Sequence, residues 1–288
     1  MRHSFSRSFG MSYPLKVIVV VAHPDEAELY TGGTTARLAG AGAAVKYLSL
    51  TNGDAGHHQV SRKPLRRRRA NEAYAAARHL GVLDYEILNI HDGGLMPDAA
   101  LRKALIASVR RWQADIVITF HDDCPGHTDN RMAGRAVREA AGFFANANVA
   151  PGTPALARSP ICLKITDHWA IGTHRHDVVV GVDPFIEQKV KACDEHASQF
   201  YEFALYERGM RNDTIATLSW EERRAFILKN WAEFMYASPD MLAALTALNA
   251  REPETTRFAE SFQLADYGRE TTAVEVYDLL CTGRPIDA

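Results

Sequence analysis

"VVAHPDEAELYTGG", Val20 to Gly33, decides how the rest of the chain is read. A β-branched run beginning at Lys16 breaks abruptly into His23, Pro24, Asp25 and Glu26, and a helical pattern punctuated by glycines follows. β-Branched residues suit a buried strand, and Pro24 stiffens the backbone at the exit. A strand that leaves through polar residues into a helix is the opening of a βαβ unit.

The same alternation repeats outward from this stretch. "AVKYLSL", "YEILNI", "DIVITF", "ICLKIT" and "DVVVGV" read as further strands, and longer helical patterns separate most of them. Two examples are the Ala/Arg helix "PLRRRRANEAYAAARHLG", ended by Gly81, and "PFIEQKVKACDEHASQFYEF", with proline at its start. Repeated strand–helix alternation predicts the α/β class with a mostly parallel sheet and right-handed crossovers. From about Ala204 the pattern turns helical and then weakly structured. The expected organisation is a flexible extension over residues 1–14, an α/β domain over 15–203 and a mainly helical C-terminal extension over 204–288, packed on the same domain.

Composition excludes several functions. With 288 residues the chain can bury a sizeable core, and 47% hydrophobic with 24% charged residues is ordinary for a globular protein. A net charge of −2 gives no electrostatic case for nucleic acid or an anionic membrane surface. No apolar run is long enough to cross a bilayer or to serve as a signal peptide. The four cysteines, Cys124, Cys162, Cys193 and Cys281, are scattered with no CxxC pair, which argues against a cysteine-built zinc site and fits a reducing cytoplasm.

In open α/β sheets, ligands collect beyond the carboxyl ends of the strands. Past strand one come His23, Asp25 and Glu26; past strand two, Asn52, Asp54, His57 and His58; past strand three, His91 and Asp92. Past strand four lies "HDDCPGHTDN", residues 121–130. His23 and Glu26, three apart at a strand-to-helix turn, can converge on a divalent ion that needs a third ligand from elsewhere. Asp25 between them can then take a proton. The plain structural alternative has equal weight on spacing alone: Asp25 and Glu26 cap the next helix, whose amino end favours negative charge.

"AHPDEAELYTGGT" resembles the opening motif of the PIG-L/LmbE-like N-acetylglucosaminyl deacetylases, and "HTDNR", His127 to Arg131, is similar to that family's HPDH signature after the fourth strand. "TNGDAG", the Arg69–Glu72 pair and "DGGL" from Asp92 also match in order, so the resemblance spans roughly Lys16 to Gln199. It implies a Rossmann-like three-layer sandwich and removal of an N-acetyl group from an amino sugar or related small conjugate, with Zn2+ or another divalent metal as cofactor. Carried over, His23 and Glu26 are metal ligands, with Glu26 where the family commonly has Asp. Asp25 is the general base, and His127 assists at the carbonyl. Asn130 stands where the family has its third metal ligand, a histidine. An amide oxygen is a weaker zinc ligand than imidazole, so three outcomes stay open: Asn130 binds the metal; His121, Asp123 or His127 replaces it; or the metal is lost.

Arg69, Asp92 and His196 are expected to bind substrate. Each has a bland alternative: a solvated arginine in a charge run, a turn former, a packed histidine. His57 and His58 are expected to line or cover the site, and His168, His174 and His176 belong to a stretch that can close over it. The functional expectation is a cytoplasmic hydrolase acting on a small N-acylated, sugar-like substrate, with no nucleic-acid or membrane partner. The family's habit of assembling allows a homo-oligomer. The competing reading is a catalytically altered deacetylase-fold protein that binds a sugar-like ligand. A nucleotide-binding oxidoreductase is excluded, because acids stand where a pyrophosphate requires bare backbone amides.

Overall fold

The computed structural model describes residues 14–167, 174–210, 217–248 and 255–284. Seven strands form one mixed sheet: β1 (Lys16–Val21), β2 (Ala44–Ser49), β3 (Asp84–Ile87), β4 (Ile116–Phe120), β5 (Ile161–Ile165), β6 (Val178–Gly181) and β7 (Ala259–Gly268), in the order β3-β2-β1-β4-β5-β7-β6. β1 to β5 pair in parallel, and β7 runs antiparallel to both β5 and β6. Helices α1 (Glu26–Gly40), α2 (Arg62–Leu80), α3 (Ala99–Trp112) and α4 (Thr128–Ala141) carry the crossovers between the parallel strands, and α5 (Ile186–Glu195) follows β6. A π-helical stretch Ser198–Phe203 leads into the short α6 (Ala204–Glu207), followed by α7 (Trp220–Asn230), α8 (Pro239–Ala247) and α9 (Ala273–Thr282). The expected α/β, Rossmann-like sandwich with a helix-rich C-terminal part is what the chain forms.

Val17 to Val21 are all fully buried, as a central parallel strand covered on both faces must be. Chain order steps from β1 outward to β3 on one side and from β4 outward on the other. The switch point therefore lies between β1 and β4, where such sheets open a crevice. The register Val20↔Thr119 brings the exits of these two strands level, so His23 and the loop after Phe120 share one rim. α4 is held tightly over that rim: a Cβ on Gly134 would lie 2.5 Å from the carbonyl oxygen of Phe120.

After Ala204 the structure differs from the expectation of helices followed by weak structure. Ala259–Gly268 is a ten-residue strand inserted between β5 and β6. Its polar residues hid it, because they are buried with partners far away in sequence. Glu260 is 1% exposed and accepts from Lys189 Nζ at 2.8 Å, from Gly33 N at 2.8 Å and from Thr34 N at 2.7 Å. Among the described residues no helix is long and apolar enough to cross a membrane.

Candidate active site

His23 leaves β1 and turns back on itself. Its backbone N–H donates to Glu26 Oε2 at 2.8 Å, and its Nδ1 lies 3.0 Å from Glu26 Oε1. On the opposite edge of the ring, Nε2 stands 3.0 Å from Asp92 Oδ1 and 3.6 Å from Asp129 Oδ2. The Asp92 contact is close enough for charge attraction but poorly aligned as a hydrogen bond, which makes it an ion pair. Burial alone would lower the pKa of this imidazole; Glu26, Asp129 and Asp92 overcome that and hold it well above the ordinary histidine value. Burial likewise disfavours the ionised Asp92 and Asp129, yet His23 keeps both carboxyls below the usual range.

Asp25 follows at the amino end of α1, where it makes no side-chain capping bond. Its Oδ1 instead accepts from Arg69 Nη2 at 2.8 Å. Arg69 is 2% exposed and also donates to the carbonyl of Gly53 at 3.2 Å. It faces inward because it lies on the buried stripe of α2 with Leu65, Ala73, Ala76 and Leu80. Gly53 has φ +64°, and a Cβ there would sit 2.7 Å from the guanidinium carbon, so backbone and arginine fit only with glycine.

From the other side of the crevice comes the loop after β4. His127 caps α4, with its Nδ1 accepting from Asp129 N at 3.1 Å. A neutral His127 therefore carries its proton on Nε2 and is a donor there. Its ring meets that of His23 edge-on, centroids 4.7 Å apart. Asn130 is 3% exposed and donates through Nδ2 to Asp167 Oδ2 at 3.3 Å, while its Oδ1 is buried with no hydrogen-bond partner among the described residues.

Glu26, Asp92 and Asp129 thus ring His23, and Arg69 supplies a buried counter-charge to Asp25 and Asp92. Buried carboxylates are kept when they are paired or coordinate metals, so the donor set fits a divalent cation. Among the described residues, His23, His127 and Asp129 offer ligand atoms within 4.8 Å of one another. The orphaned Asn130 oxygen adds an acceptor that awaits a positive partner.

Other sequence-derived candidates lie elsewhere. His196, expected to bind substrate, is fully buried, with its Nε2 3.3 Å from Glu28 Oε1 beneath α1. Arg69 lies behind Asp25, and Asp92 at the edge of His23. Of the suggested stand-ins for Asn130, His121 Nε2 faces His174 Nδ1 at 3.1 Å, and the Asp123 side chain is 71% exposed. His174 and His176 both contact Ser261 Oγ; His168 lies outside the described residues. His57 Nε2 is 2.9 Å from Glu202, and His58 stacks on Tyr206. Sequence reasoning gave no role to Asp129 or Asp167. Asp129 was visible in the quoted motif, whereas Asp167, just past β5, acquires its place only through the fold.

The acid–histidine crevice at the switch point carries the groups that hydrolysis of an N-acyl bond needs. Comparison with known proteins agrees. The chain is 32% identical over 196 residues to the diacetylchitobiose deacetylase of Thermococcus kodakarensis, covering 65% of this chain and 71% of that one. The N,N'-diacetylchitobiose deacetylase structure from Pyrococcus horikoshii superposes with a TM-score of 0.65 at 24% identity, over 88% of this chain and 84% of that one. A 4-carboxy-2-hydroxymuconate hydratase of Pseudomonas putida shares the fold at a TM-score of 0.67 and 19% identity, over 89% and 98% of the two chains. The profile of the PIG-L family (GlcNAc-PI de-N-acetylase) matches residues 18–141, and the chain belongs to this family.

Proposed function

We propose that this protein is a metal-dependent N-deacetylase acting on an N-acetylated amino sugar or a related small conjugate. One observation carries the reading: His23 at the exit of β1 is ringed by carboxylates and faces His127 from the exit of β4 at 4.7 Å. His23, Glu26 and Asn130 would hold the divalent ion. When bound, the ion supplies Lewis acidity that polarises the acyl oxygen and acidifies the attacking water.

The chain's own groups do the rest. Asp25, fixed by Arg69, accepts the proton of the water as it adds to the acyl carbon. It returns that proton to the nitrogen as the C–N bond breaks, leaving acetate and a free amine. His127, with its proton on Nε2, donates to the oxygen on which negative charge develops. Asp92 and Asp129 hold the far edge of His23, the supporting contact that metal-ligating imidazoles commonly have. The relatives named as deacetylases of N-acetylated sugar compounds support the amino-sugar class of substrate. A hydratase shares this fold, so the reaction is set by the site residues and not by the architecture.

The test is amine and acetate release from N-acetylglucosamine compounds by metal-stripped and metal-reloaded protein. Equal amounts of both products, dependent on reloading, support the proposal. A protein that binds these sugars without releasing acetate in either state is a carrier or sensor, and the hydrolase reading is then wrong.

A further inference from the structure

We propose that Asp167 turns the Asn130 amide so that its oxygen is the third metal donor, and that the resulting one-imidazole, oxygen-rich site favours manganese-like ions relative to zinc more than a two-imidazole site would. The inference rests on the hydrolase reading above and extends it to the choice of ion.

An asparagine side chain presents a donor end and an acceptor end, and its neighbours decide which faces where. A carboxylate only accepts, so the Asn130 contact with Asp167 Oδ2 at 3.3 Å fixes the NH2 group on that side. Asp167 is itself immobilised. It is 4% exposed, its Oδ1 accepts from Gly126 N at 3.1 Å, and its Oδ2 accepts from His127 N at 2.8 Å. With the nitrogen end committed, Oδ1 is the free end, and it is buried and unpartnered among the described residues. An unpaired buried acceptor is unfavourable unless a cation or donor meets it.

The alternative third donors are engaged or, in the case of Asp123, turned to solvent with 71% of the side chain exposed. His127 uses Nδ1 to accept from Asp129 N and so holds a proton on Nε2 in its neutral form. His121 Nε2 is on His174. Asp129 Oδ2 accepts from Gly93 N at 2.7 Å while facing His23. The donor set is then one imidazole, one carboxylate and one amide oxygen. Zinc binds more tightly than manganese at nearly any nitrogen–oxygen site, but carboxylate and carbonyl donors suit manganese and narrow that gap, whereas a second imidazole widens it.

The experiment is calorimetric titration of metal-stripped protein with MnCl2 and with ZnCl2, for wild type, Asn130→His and Asp167→Asn. Metal-free melting temperatures are recorded for each variant. Asn130→His should raise the zinc-to-manganese affinity ratio by on the order of tenfold or more. Asp167→Asn, which can donate as well as accept and so releases the amide orientation, should weaken manganese by about tenfold. A wild-type ratio unchanged in both folded variants overturns the inference and leaves the hydrolase reading standing. Absence of binding by either ion to wild type overturns both. If Asn130→His fails to fold, the Asp167→Asn arm decides alone.

Discussion

Arg69 holds Asp25 across 2.8 Å from a guanidinium that is 2% exposed, so the proposed base is gripped from behind and not from the substrate side. Arg69→Gln removes the grip without opening the pocket. We expect kcat to fall on the order of a hundredfold, as a misplaced reacting group typically does, with KM little changed. A raised KM at unchanged kcat would instead mean that Arg69 touches the substrate.

His127 carries its proton on the nitrogen turned away from the Asp129 amide. His127→Ala should lower kcat by roughly a hundredfold to a thousandfold, the usual loss for one donor to a developing oxyanion. Steady-state kinetics with N-acetylated sugars measures it. A purely structural His127 would lower the melting temperature while leaving kcat of the folded fraction intact.

β7 is fastened to α5 by a buried ion pair and to α1 by two backbone amides, all at Glu260. Lys189 and Glu260 have side chains 0% and 1% exposed, with 2.8 Å between Nζ and Oε1. Glu260→Gln leaves the lysine charge uncompensated, and stability should fall by about 3–5 kcal/mol in denaturant unfolding. A loss below about 1 kcal/mol would mean that the strand is held by its backbone ladder alone.

How much of this was legible in the sequence follows from the range of the interactions. β1 to β4 and their polar exits were legible because strand and helix periodicities are local. The inward turn of Arg69 was also available, from the stripe Leu65, Arg69, Ala73, Ala76 and Leu80, but the adjacent arginines disguised it as a solvated run. β7 was not legible, since Glu260, Ser261 and Gln263 look exposed until Lys189, His176 and the Arg175 amide meet them. His196 was a polar residue at a plausible position, and its burial against Glu28 is set by packing that the sequence does not display.

Acid should weaken the β6–β7 edge. Burial, with the neighbouring His121, His176 and Arg175, pushes the His174 imidazole down to about 3. The unfolded chain, with an ordinary value of about 6.5, therefore binds a proton between these limits that the native state does not. Stability is full above about pH 6.5 and declines as pH falls toward 3. His174→Gln should flatten that part of the stability–pH curve, measured by urea unfolding from pH 7 to pH 4. An unchanged slope would mean that His174 titrates normally in the folded protein.

The central claim is that Asp25 moves the proton in an amide hydrolysis at the β1–β4 crevice. The most direct test is Asp25→Asn, with acetate release from an N-acetylglucosamine substrate and bound metal both quantified. The account predicts turnover reduced by roughly a hundredfold to ten-thousandfold with metal content unchanged. Turnover equal to wild type in that variant would contradict it.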